Sequence, residues 1–92
     1  MSMLKAIEIA HLNLRYAHTR IRSAAAVLRL AGAIESFGQI SPVLVVPGVA
    51  PPEHILIDGY LRVEALRRCG RDMVQAQIWP DKEADALIRV LA

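Results

Sequence analysis

The stretch ILIDGYLRVEALRRCGRDMVQAQIW, Ile55 to Trp79, decides the fold. Branched apolar residues run into Asp58-Gly59, a helical pattern follows to Cys69 with Gly70 as its stop, and Met73 to Trp79 then alternates Val74, Ala76 and Ile78 against Gln75 and Gln77. A run of branched apolar residues, then period 3.6, then period 2 predicts strand, helix, strand. The first junction also carries chemistry. A glycine there lets the backbone turn without a Cβ clash, and the first N–H groups of the helix that follows lack intrahelical partners. Arg62 falls in that first turn, where a cation opposes the helix dipole unless an anion sits nearby.

Working outward, HILID is the strand that feeds this turn, and the Pro/Gly run Pro47 to Pro52 separates it from PVLVV, which opens at Pro42 and reads as buried on both faces. Upstream, Val27, Leu30, Ala31, Ile34 and Phe37 form one helical stripe, with Ser23 as N-cap and Gly38 as the closing glycine. Gly32 inside this helix costs roughly 1 kcal/mol relative to alanine, which leads us to expect a close contact there. KAIEIA predicts a short strand over Ala6 to Ile9, and His11 to Arg22 has no clean period and reads as an irregular approach. After Pro80, Asp81 is the expected cap of a last helix with Ala84, Leu87, Ile88 and Leu91 as its stripe. The order is β, α, β, β, α, β, α: an α/β (α+β) domain, a small mixed sheet with helices packed on one side. The whole chain, 1–92, is read as one domain without internal repeats.

Of 92 residues, 54% are hydrophobic and only 4% aromatic, so the expected core is aliphatic, with Trp79, Phe37, Tyr16 and Tyr60 as its large anchors. Net charge is +2, and arginine dominates the cations because Lys5 and Lys82 are the only lysines. Arginine suits bidentate contact with phosphate, and a basic balance of this size permits an anionic partner without demanding one. The single Cys69 excludes an internal disulfide and fits a reducing, cytoplasmic setting; His11, His18 and His54 have no metal-ligand spacing, so no metal site is expected. No apolar run reaches the ~20 residues of a membrane span, and no secretory signal pattern is present.

The phrases IESFGQISPVLVV (Ile34 to Val46) and ILIDGYLRVEALRRCGRDMVQAQIW stand in the order and at the separation that resemble the ParB N-terminal domain of the ParB/sulfiredoxin superfamily, over about Ile7 to Trp79. In partition proteins of that family a Gly-Glu-Arg-Arg phrase grips the triphosphate of a cytidine nucleotide, and a Gly-Gln-x-x-Pro region borders base and ribose. Gly59 and Arg62 match the first and last positions of the phrase; Tyr60 and Leu61 stand where it has an acidic residue and an arginine. Gln39 and Pro42 match the second region, and Arg20 and Arg22 resemble the arginine position that precedes the first helix. The resemblance therefore implies a bacterial, DNA-associated module of chromosome or plasmid partition or of transcriptional regulation. Its nucleotide or phosphate site would comprise Asp58, Gly59, Tyr60, Arg62, Arg20, Arg22, Gln39 and Pro42, with CTP or another nucleotide and Mg2+ as ligand. Arg67, Arg68 and Arg71 would extend an anionic groove. DNA, self-association and a partner ATPase are the implied partners, and no membrane is.

Plainer roles stand beside these. Asp58 reads first as the N-cap of the helix, Glu64 with Arg68 as a surface ion pair at i, i+4, Tyr60 as either a base-stacking ring or a cover for the core edge, and Cys69 as a small core residue. Whether the chain is an enzyme stays open, a weak CTPase-like triphosphatase being the candidate activity. A free-serine-kinase-like Asp-Gly-His-His-Arg phrase is also similar to Asp58, Gly59 and Arg62, which leaves a phosphotransferase or nuclease-type enzyme as an alternative. A protein-interaction domain with a decayed nucleotide site is a third. Sulfiredoxin chemistry needs a cysteine where Tyr60 stands. Relatives carry a helix-turn-helix domain after this one; a piece of such a protein and a stand-alone form are both compatible with a chain that reaches Ala92 without a base-reading helix.

Overall fold

In the computed structural model, which describes residues 3–17, 23–39, 41–80 and 82–91, HILID becomes strand β4 (His54–Asp58) and YLRVEALRR becomes helix α2 (Tyr60–Arg68). The other strands are β1 (Met3–Glu8), β2 (Leu12–Asn13), β3 (Val43–Pro47) and β5 (Met73–Ile78), and the other helices are α1 (Ala24–Phe37) and α3 (Glu83–Leu91). They form one five-stranded mixed sheet of order β1-β5-β3-β4-β2. β1 with β5 and β3 with β4 pair antiparallel, whereas β3 with β5 and β2 with β4 pair parallel.

The two central strands read as unbroken apolar runs because both of their faces are covered. Val43, Val45, Leu56, Val74 and Ala76 point to one side, where α1 and α2 bury Val27, Ile34, Tyr60, Val63, Ala65 and Leu66 against them. Val46, Ile55 and Ile57 point to the other side, where Ala86 of α3 joins them and Trp79, Leu87 and Val90 pack around the cluster. Leu56 and Ile57 are both fully buried although adjacent, and truncating either to alanine would cost about 2–5 kcal/mol. The expectation of helices on one side is thus corrected: α3 covers the opposite face at β4.

Several other expectations are corrected on physical grounds. β1 runs from Met3 to Glu8 because its pairing with β5 continues from Met3↔Ile78 to Glu8↔Met73; Ile9 has already left for a short 3-10 turn, Ile9–His11, with its N–H on the Asp72 carbonyl at 2.8 Å. The approach segment contains β2, two residues that carry no readable period. Phe37 is 77% exposed: at 100° per residue it has rotated about 80° from Val27, and the helix ends there. In α3, Ala86, Leu87 and Val90 face the sheet, while Ala84 is exposed and Ile88 is 66% exposed. Gly32 lies on the open side of α1 with nothing within 4 Å of where a Cβ would stand, so the expected close contact is absent. Asp81, the expected cap of α3, lies outside the described residues.

The helix boundaries that fix the site follow the sequence signals. Ser23 Oγ accepts the Ala26 N–H at 3.2 Å, and Gly38 (φ 75°) closes α1 through its N–H to the Ile34 carbonyl at 2.7 Å. Cys69 ends α2 half-buried against the core, its Sγ 3.4 Å from the Ala31 carbonyl oxygen.

Candidate phosphate-binding turn

β4 stays paired through Asp58, opposite Leu44 of β3, so the chain turns only at Gly59. Gly59, not Asp58, is therefore the N-cap of α2, and its carbonyl accepts the Val63 N–H at 3.0 Å. Two constraints hold this residue to glycine. Its φ of 110° is hostile to any side chain, and a Cβ would stand 2.6 Å from Val43 Cγ1 and 2.8 Å from Val43 Cβ. Val43 is a determinant that sequence reading missed; a valine opening a strand looks like core alone.

Among the described residues no side chain caps the first turn of α2, and no acidic residue lies in that turn. The N–H groups of Leu61 and Arg62 are among the donors that helix geometry leaves without intrahelical partners. Arg62 is half-buried, and among the described residues its guanidinium has neither a hydrogen bond nor an ion pair. An uncapped helix N-terminus beside such an arginine favours an anion electrostatically. Asp58 is exposed at the edge of this turn.

Tyr60 points inward. It is 6% exposed, its hydroxyl donates to the Leu56 carbonyl at 2.9 Å and accepts the Tyr16 N–H at 3.1 Å. The ring thus covers the core and anchors the Leu14–Ala17 turn, which Arg15 and Tyr16 tie in turn to Glu83 of α3. These links join residues 67 and 68 positions apart, and no local signal could have revealed them.

Gln39 works as a substitute peptide. Its Oε1 accepts the Gln75 N–H at 2.7 Å, and its Nε2 donates to the carbonyls of Gln75 (2.9 Å) and Ser41 (2.8 Å). β3 begins only at Val43, so Gln39 completes the hydrogen bonding of β5 where β3 does not reach, and pins the α1–β3 loop. Pro42 is exposed in that loop, one residue before the valine that packs on Gly59. Gln39, Pro42, Gly59 and Arg62 are in this way brought to one end of the sheet. Arg20 and Arg22 lie outside the described residues.

The remaining arginines gather elsewhere. Arg67 and Arg71 line a cleft of about 440 Å³ at the C-terminal end of α2, together with Glu8, Ile9, Ala10 and Asp72. Arg67 pairs with Glu64 at 3.7 Å, one residue earlier than the expected Glu64–Arg68 pair. Around α2, Arg67 and Arg68 are turned about 120–140° from Arg62. Among the described residues no three His, Cys, Asp or Glu side chains come together to hold a metal ion, and no helix is long and apolar enough to cross a membrane. The Val49 N–H, and then the Asn13 amide, hold the Glu53 carboxyl below its usual value. Its oxygens accept from Val49 N–H at 2.9 Å and Asn13 Nδ2 at 3.2 Å, which fastens the β3–β4 loop to β2.

No protein-family model and no curated protein matches the chain. Solved structures do. Sulfiredoxin from Arabidopsis thaliana superposes with a TM-score of 0.80 at 19% identity, over 98% of both chains. The C-terminally truncated chromosome-partitioning protein ParB from Caulobacter crescentus, complexed with CTP-gamma-S, gives 0.81 at 20% identity, over 95% of this chain and 49% of that one. The same protein complexed to the centromeric parS site gives 0.74 at 20% identity, over 94% of this chain and 45% of that one. The chain spans about half the length of the ParB chains that it matches. In the turn itself stands the buried Tyr60, and the single cysteine, Cys69, sits at the other end of α2. What sequence and geometry share with these neighbours is the architecture, and the chain has the ParB/sulfiredoxin-like fold.

Proposed function

We propose that this chain is a ParB-like regulatory or partition module that binds the phosphates of a nucleotide at the Asp58–Arg62 turn. The observation that carries the reading is the uncapped N-terminus of α2 beside an Arg62 without a partner among the described residues, on a backbone that admits only glycine at position 59. Phosphate oxygens would accept from the Leu61 and Arg62 N–H groups and from the guanidinium. The exposed Pro42 loop, held by Gln39, would border the rest of the nucleotide; magnesium would arrive with it. A ParB neighbour of this fold is complexed with a CTP analogue, which makes CTP the first ligand to try. Another is complexed to parS DNA, which supports DNA as a partner of the protein that carries this domain. Self-association and a partner ATPase complete the proposal, in the cytoplasm.

Arg20 and Arg22 would contribute further cations to the site. Tyr60 would position the turn from within rather than touch the ligand. A second reading, a protein-interaction domain that keeps the turn without the ligand, is favoured by that burial of Tyr60 and by the apolar Leu61, which together leave Arg62 as the only basic side chain of the first turn. Calorimetric titration with CTP, ATP and GTP, each with magnesium, separates the two. Saturable binding of one nucleotide that is lost in Arg62→Ala supports the phosphate site; no binding of any nucleotide to a folded wild type supports the second reading.

A further inference from the structure

At the end of α2 away from the phosphate turn, the cleft of about 440 Å³ is within the ~300–1,000 Å³ range of small-molecule sites. Backbone hydrogen bonds fix its frame. The Ile9 N–H donates to the Asp72 carbonyl at 2.8 Å, the Gly70 N–H to the Arg67 carbonyl at 3.0 Å and the Arg71 N–H to the Leu66 carbonyl at 3.0 Å. The end of β1, the end of α2 and the start of β5 are thereby held together around one opening. Ile9, nearly buried, and Ala10 form its apolar portion.

Four charges line the cleft, two of each sign: Arg67 and Arg71, Glu8 and Asp72. One of each sign is already engaged. Glu8 Oε2 is 3.1 Å from His11 Nε2, and Arg67 pairs with Glu64 at 3.7 Å. Among the described residues the side chains of Arg71 and Asp72 have no hydrogen bond or ion pair, and no arginine–carboxylate pair closes across the cleft. A helix C-terminus favours cations and disfavours carboxylates, so the dipole of α2 accounts for Arg67 and Arg71 but not for the two carboxylates beside them. The balance selects the ligand. A simple anion entering here meets Glu8 and Asp72, and a simple cation meets Arg67 and Arg71. A zwitterion satisfies both signs.

We propose that this cleft binds the zwitterion of an apolar α-amino acid, its carboxylate on the Arg71 guanidinium, its ammonium on the Asp72 carboxylate and its side chain against Ile9 and Ala10. The planar fork of an arginine matches a carboxylate bidentately. All four lining charges are exposed, so each contact is weak and the expected Kd is millimolar. The site is separate from the phosphate turn: the nine residues of α2 span about 13 Å, more than one amino acid can bridge. Nucleotide is not needed for the test, so the two readings fail separately.

Amide chemical-shift titration of the isotopically labelled chain with leucine, methionine and phenylalanine, each to about 50 mM at low salt, is the test. Saturable shifts at Ile9, Ala10, Arg71 and Asp72 are expected with at least one of the three, with little change at Gly59–Arg62. The N-acetyl derivative of that amino acid lacks the ammonium and its amide lacks the carboxylate; each is expected to bind at least tenfold more weakly. The same loss is expected for the free amino acid with Arg71→Gln and with Asp72→Asn. Both substitutions keep the backbone hydrogen bonds that frame the cleft, and unchanged melting temperatures verify that the fold is kept. The proposal is overturned if none of the three amino acids gives saturable shifts there, or if either derivative binds as well as the free amino acid. Binding indifferent to Arg71→Gln or to Asp72→Asn overturns it too.

Discussion

Replacing Gly59 by alanine is expected to be among the most damaging single-atom additions to this protein. A side chain at φ 110° is forced into a sparsely populated region, which costs on the order of 1–3 kcal/mol. Its Cβ would also press on Val43 at 2.6 and 2.8 Å, against the ~3.5–4.0 Å at which carbon atoms rest. Val43 is fully buried in the first core cluster and cannot retreat, so overpacking adds about 1–3 kcal/mol. The sum is about 2–6 kcal/mol, and its centre near 4 kcal/mol corresponds to a fall of roughly 16–32 °C in Tm for a domain of this size. Gly70→Ala is the control. Gly70 also has a positive φ, 73°, but a Cβ there meets nothing within 4 Å, so only the backbone cost of about 1 kcal/mol applies. Urea unfolding of the two variants measures the difference. If Gly59→Ala proves no more destabilising than Gly70→Ala, the close approach of Val43 to the turn is refuted, and with it the explanation of why glycine occupies this position.

Three further outcomes are expected. Gly32→Ala, measured at low micromolar concentration, stabilises by about 0.5–1 kcal/mol because an exposed mid-helix glycine gains helix propensity without a clash; thermal unfolding reads it. Tyr60→Phe strands the Leu56 carbonyl and the Tyr16 N–H that its hydroxyl serves and costs about 1–3 kcal/mol, with faster amide exchange across Leu14–Ala17. Glu53 is held below its ordinary value of 4.5 by the Val49 N–H and then the Asn13 amide, so the stability it brings is fully present above that value and is lost as pH falls through the lowered one. Hydrogen exchange of the Val49 amide should therefore accelerate below about pH 4.5 in the wild type. In Glu53→Gln it should stay flat with respect to this step.

How much of this was legible depends on the distance over which the signal acts. β4, α2 and β5 were readable because each shows a local pattern, an apolar run, a 3.6-residue period and an alternation, with Gly59 and Gly70 marking the boundaries between them. α3 was harder, since the apolar residues of EADALIRVL spread over about 200° of the helix; only its seat on Val46, Ile55 and Ile57 selects Ala86, Leu87 and Val90. β2 is a strand solely by virtue of its neighbour β4. At the site, the turn and Arg62 were visible locally. The burial of Tyr60 was not, because an aromatic at a strand–helix junction faces in or out according to what a distant segment, here Tyr16, provides. Gln39 hides its role for the same reason: the backbone it completes is 36 residues away.

The claim that matters most is that the N-terminus of α2 holds phosphate. Amide chemical-shift mapping of the isotopically labelled chain during titration with CTP and magnesium tests it residue by residue. Saturable shifts are expected at Gly59, Leu61 and Arg62, with smaller ones along Gln39 and Ser41 and little change at Arg67, Arg68 and Arg71. Shifts confined to Arg67–Asp72, or none at Gly59–Arg62 at millimolar nucleotide, would contradict it.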